Sequence, residues 1–192
     1  MMFHANPQRL RTTLAPLSQA MTLTLEDLRC VGRWAADCAE RVLAIFEAQA
    51  PSDCRPREAI EGIRAFVLGG KRTARLRSLA LAAYAAAREV SDQAATAAAR
   101  AAGLAASSAY MHPLATPDQA RHALGPAAYA SLARELAASG DSRSVDAEIR
   151  WAIKHASSAV CEVVWRYPAQ SAGRTRLAAL FFKIDAGLRS HR

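Results

Sequence analysis

Little in this 192-residue sequence interrupts a helix. Glycine occurs 9 times and proline 8 times, too few for a collagen-like or low-complexity chain, and β-branched residues are thinly spread, so no strand-rich region is visible. Four cysteines, Cys30, Cys38, Cys54 and Cys161, show neither C-x-x-C pairing nor metal-finger spacing. They read as free, partly buried thiols, and a zinc site is not expected. Long hydrophobic runs are missing too. The segment Asn6 to Met21 carries Arg9, Arg11 and Pro16 and has no uninterrupted apolar stretch, so it does not read as a secretory signal. The run Leu79 to Ala87 is too short to span a bilayer, and Ala94 to Tyr110 is broken by Arg100 and only weakly hydrophobic. These absences lead us to expect a cytoplasmic protein that does not engage the membrane.

The sequence-readable active sites are also missing. There is no glycine-rich phosphate loop, no G-x-S-x-G elbow and no H-E-x-x-H, and H-x-E is not found with C-x-x-C. His4, His112, His122, His155 and His191 are scattered, and no pair has ligand spacing on one helix face. A nuclease would need clustered carboxylates to hold metal ions, and Asp37, Glu40, Asp53, Glu58 and Glu61 do not assemble into such a cluster by spacing. We therefore expect no catalytic residues, no metal and no cofactor.

What is present is alanine, about a quarter of the chain, the strongest helix former. The length suits one helical domain with a real core. A short helix over Pro7 to Ala20, broken at Pro16, or simply a tail, fills the N-terminal 1–23. A single all-α domain is expected over 24–192, a compact bundle of six or seven helices. The first strong helix follows Thr24, with Glu26 and Asp27 in its first turn, runs to about Gln49, and buries Leu28, Ala35, Cys38, Val42 and Phe46. A second starts near Pro56, stops at Gly69-Gly70 and buries Ile60, Ile63 and Val67. Alanine-rich helices over Thr73 to Val90 and from Asp92 to about Tyr110 can approach closely. Thr116-Pro117 opens the next, with a break or kink expected at Gly125-Pro126 and a stop at Ser139-Gly140-Asp141. One continuous helix from Ser144 to Tyr167 and a last one after Gly173 complete the chain as a C-terminal hairpin over 139–192. The stripes Ile149 to Tyr167 and Leu177 to Leu188 are candidate homodimer surfaces.

Charge is the other feature. The net charge of +8 suits an acidic partner, nucleic acid or an anionic surface and selects none of them. Lys71, Arg72, Arg75 and Arg77 crowd the start of a helix, where the dipole disfavours cations. A solvated turn and a patch for an acidic partner surface are both open readings. Arg33, Asp37 and Arg41 fall at i, i+4 and i+8, so internal pairing competes with recognition. Trp34 beside them is either an interface anchor or core.

Four segments occur in order: Trp34-Ala-Ala-Asp-Cys-Ala-Glu-Arg-Val-Leu, Arg55-Pro-Arg-Glu-Ala-Ile-Glu, Ala85-Ala-Ala-Arg-Glu and Ala97-Ala-Ala-Arg-Ala-Ala-Gly. The first two are the specific ones. Together they resemble the immunity proteins of bacterial polymorphic toxin systems, the Imm-five-like group, some members of which carry an exonuclease label. The resemblance spans 24–138, and 139–192 departs from it. It implies an all-helical protein that neutralises a toxin by binding it, and it carries Arg33, Trp34, Asp37, Arg55, Arg57 and Glu58 over as candidate partner-binding positions. Relatives in this resemblance carry histidines where this chain has Tyr84, Leu104 and Tyr110, so a histidine-dependent site does not transfer. The expected function is a protein-binding module whose partner is a cognate toxin with an acidic surface. The alternative is a basic nucleic-acid-binding or regulatory protein, whose binding would weaken steeply with salt.

Overall fold

Most helix starts among the described residues are set by side-chain oxygens that take up N–H groups left free in a first turn. The computed structural model describes residues 21–190. The helix expected over Pro7 to Ala20 lies outside the described residues. Helix α1 (Leu25–Gln49) opens on a reciprocal capping box, in which Asp27 N–H donates to the Thr24 hydroxyl at 3.0 Å and Thr24 N–H to the Asp27 carboxylate at 2.8 Å. Helix α2 (Arg55–Val67) carries Pro56 in its first turn. Thr73, Asp92 and Thr116 cap α3 (Ala74–Glu89), α4 (Gln93–Ser107) and α5 (Pro117–Ala137). A 3₁₀ turn, Ser108–Tyr110, extends α4. Asp141 and Ser157 cap α6 (Ser142–Lys154) and α7 (Ser158–Arg166), and Thr175 accepts from Ala178 N–H at the start of α8 (Arg176–Ser190).

The chain is all-α, with eight α-helices among the described residues where six or seven were expected. The extra one comes from Ser157. Its hydroxyl accepts from Val160 N–H and restarts the helix, so the stripe from Ile149 to Tyr167 is divided between α6 and α7. The C-terminal part is therefore three helices and not a hairpin. Of the break or kink expected at Gly125-Pro126, the break does not occur: α5 continues through Pro126. Stops fall where glycine marks them. Gly69, at φ +109°, and Gly70 donate to the carbonyls of Phe66 and Ala65, closing α2 in a Schellman motif. At the end of α5 the same role falls to Ser139, held at φ 52°.

Packing follows side-chain size. Alanine-rich α4 sits among α1, α2, α3 and α5, with ten of its fifteen residues buried, nine of them alanine and one Gly103. Small side chains let the neighbouring axes approach closely. The larger apolar groups of this core come from α1 and α2, chiefly Val42, Phe46, Ile60, Ile63 and Phe66. A second cluster joins α6, α7 and α8 to the opposite side of α1 and α5: Val145, Ile149, Val160, Leu180, Ile184 and Leu188 pack against Trp34, Cys38 and Leu124. The stripes considered as dimer surfaces are thus largely buried within the chain. Most residues of both stripes have intramolecular partners.

Candidate functional site

The positions drawn from α1 and α2 are mostly engaged with one another. Asp37 pairs across to Arg64 at 3.0 Å, and Arg41 reaches Glu148 on α6 through two bonds of 2.6 and 3.0 Å, so the ladder expected along α1 is replaced by contacts between helices. Arg57 chelates Glu47 at 2.7 and 2.8 Å. Arg55 bridges Asp53 and Glu89, whose carboxyls its hydrogen bonds hold below the usual carboxylate range. Glu58 accepts from the Cys54 thiol at 3.3 Å and pushes that thiol's pKa up. Trp34 is 2 % exposed, and its indole N–H donates to the Ala152 carbonyl at 2.8 Å, one of the carbonyls that the end of α6 leaves free. Arg33 is exposed and has no carboxylate partner among the described residues.

The basic cluster has a different setting. Lys71 and Arg72 precede the Thr73 cap, Arg75 and Arg77 lie in the first turn of α3, and all four are exposed. No carboxylate lies within ion-pairing distance of any of them among the described residues. Arg77 instead stacks on the Tyr110 ring, 4.8 Å from its centroid, and the Tyr110 hydroxyl donates to the Thr73 carbonyl at 2.6 Å. The first turn of α3 is thereby tied to the end of α4. Free N–H groups of that turn add to the positive potential of the four cations.

Beyond Arg77 the same face of α3 continues through Leu81, Tyr84 and Arg88, at offsets of four, seven and eleven residues. This row forms one wall of a cleft of about 960 Å³. Arg100 and Leu104 of α4 project into it, Arg121, His122 and Tyr129 of α5 form the facing wall, and Leu177 and Phe181 of α8 close one end. A Cβ at Gly103 would stand 2.8 Å from the Tyr84 ring, and one at Gly125 2.8 Å from Leu104. Glycine at these two positions lets those larger side chains lie flat against the helices. Burial pushes the Tyr84 hydroxyl up and the His122 imidazole down from their ordinary values. The cleft was not found from sequence, because its lining comes from four helices. One local signal was the Leu81, Tyr84, Arg88 spacing. Among the described residues, no three His, Cys, Asp or Glu side chains converge to hold a metal ion, and no helix is long and apolar enough to cross a membrane.

No curated protein and no solved structure matches the chain. One family model does, that of the Imm-5 like putative immunity protein family, over residues 21–159. The match runs past Ser139, where the sequence resemblance was expected to end, and takes in α6, whose Glu148 and Ala152 hold Arg41 and Trp34 of α1. Spanning well over half of the sequence, it shows that the chain belongs to the Imm-5 like immunity protein family.

Proposed function

We propose that this protein neutralises a toxin by binding it, without chemistry of its own, and that the toxin meets it through an acidic surface. The observation that carries the reading is the end of α3: four exposed cations stand at a helix N-terminus with no carboxylate to satisfy them among the described residues. Family membership supplies the class of partner. Elsewhere arginines such as Arg55, Arg57, Arg64 and Arg166 are paired within the fold, whereas Lys71, Arg72, Arg75 and Arg77 lie close together in sequence and exposed, without a carboxylate partner among the described residues, available to complement a partner. Arg33, Arg57 and Glu58 are further exposed positions on α1 and α2, while Trp34 is buried where α1 meets α6 to α8. The site of action in this reading is the cytoplasm.

Co-expression with a toxin encoded beside this protein tests the proposal. Wild type should restore growth, and the triple charge reversal K71E/R72E/R75E should lose most of that protection at unchanged protein level. Full protection by the triple variant would remove the α3 surface from the reading. A phosphate backbone is the other ligand such a patch suits, and it would show as DNA or RNA binding that falls steeply as salt rises.

A further inference from the structure

The cleft over α4 lies further along α3 than that helix's basic start and, unlike it, has an apolar wall. Three guanidinium groups, from Arg88, Arg100 and Arg121, border it, and Asp118 is the one carboxylate in its lining. Arg121 pairs with Asp118 at 3.3 Å and donates to the Gln170 side chain at 3.2 Å. Arg88 has no carboxylate partner among the described residues, and Arg100 has only the Tyr129 hydroxyl at 3.4 Å, with its guanidinium over that ring. The wall between them is apolar. Leu81 is 61 % exposed and lines the cleft together with Tyr84, Leu104, Leu177 and Phe181. At about 960 Å³ the space is at the upper end of what small organic ligands occupy.

The rim is held in place without a ligand. Gln170 is buried, donates its amide to the Pro117 carbonyl at 3.3 Å, and gives its backbone N–H to the buried Asp185 carboxylate at 3.0 Å. Arg189 clamps the same carboxylate and donates to the carbonyls of Val164 and Tyr167. The segment from Tyr167 to Gln170 is thus anchored to both α5 and α8. Ser107 fixes the Tyr84 hydroxyl at 3.2 Å, which holds the ring against Gly103. Planar guanidinium groups favour carboxylate, sulfonate and phosphate oxygens, and an apolar wall favours a flat hydrocarbon body.

We propose that this cleft binds an organic anion with a flat apolar body, Arg88 and Arg100 holding the anionic head while Leu81, Tyr84, Leu104 and Phe181 contact the body. The site does not depend on the toxin-binding reading, and its test needs no toxin. Full-length protein is titrated with 8-anilinonaphthalene-1-sulfonate, followed by fluorescence, and in parallel with the uncharged N-phenyl-1-naphthylamine. One saturable site is expected, with the neutral probe bound at least ten-fold more weakly. R88A/R100A should weaken the anionic probe at least ten-fold. L81E, at an exposed position, should do the same by placing a carboxylate in the wall. R143A/R150A, two exposed arginines of α6 outside the cleft lining, should leave binding unchanged, with circular dichroism establishing that every variant is folded. Absence of saturable binding, equal affinity for the two probes, several scattered sites, or wild-type affinity in folded R88A/R100A would each overturn the proposal.

Discussion

Replacing Trp34 by phenylalanine separates the two roles that its sequence context left open. The indole N–H satisfies the Ala152 carbonyl near the end of α6 across a 2.8 Å bond inside the second cluster. Trp34→Phe removes that donor and leaves the carbonyl buried, which costs about 1–3 kcal/mol. Losing part of the ring system from a site 2 % exposed adds roughly 1 kcal/mol of packing. The sum, about 2–4 kcal/mol, is a sizeable part of a domain's stability but does not exceed it. For a chain of this size it corresponds to a fall in Tm of about 5–15 °C. Urea and thermal melts followed by circular dichroism measure it, and the folded variant should bind its partner as wild type does. A loss of stability below about 0.5 kcal/mol, or a loss of binding at unchanged stability, would refute the assignment of Trp34 to the interior.

Three further outcomes follow from particular contacts. Ser139 carries the left-handed conformation that ends α5, at φ 52°, so Ser139→Gly should raise stability by about 0.5–1 kcal/mol in urea melts. Glu148 is 3 % exposed and receives Arg41 and Arg134, so Glu148→Gln should lower stability by about 2–4 kcal/mol, and a larger loss is expected for Glu148→Ala. Stability should also fall in acid. For Asp27, burial alone would raise the carboxyl, but the Arg166 and Thr24 hydrogen bonds outweigh it and lower the pKa; Asp53 and Glu89 are lowered chiefly by hydrogen bonds from Arg55. Because their folded values lie below the unfolded ones near 4, their contribution is complete above about pH 5 and is lost as pH falls through the lowered values. Urea midpoints measured from pH 7 down to about 3 should decline in that lower window, and Asp53→Asn should flatten part of the decline.

Much of the fold could be read from local chemistry because caps and stops act within four residues. Thr24, Asp92, Thr116 and the Gly69-Gly70 pair act in the structure as their types indicate. Pro126 does not end the helix because a lost hydrogen bond within a buried helix can be offset by packing, and Ala123, Leu124, Ala127 and Ala128 are buried around it. The break before α7 was hidden because apolar spacing continues across it, and only the Ser157 hydroxyl marks the restart. Candidate site residues divide along the same line. Exposure of the cluster at the start of α3 follows from its own sequence. The fates of Asp37 and Arg41 were set by partners up to 107 residues away, which no local pattern encodes. The cleft required α3, α4, α5 and α8 to meet, and Gly103 within an alanine-rich helix was the faint trace of the close approach at its floor.

The most direct test of the central claim is calorimetric titration of the purified full-length protein with an inactivated form of the toxin encoded beside it, at low and at high salt. A discrete complex whose affinity falls at least ten-fold in K71E/R72E/R75E and weakens moderately with salt is the expected result. No complex at low salt, or a triple variant that binds as tightly as wild type, would contradict it.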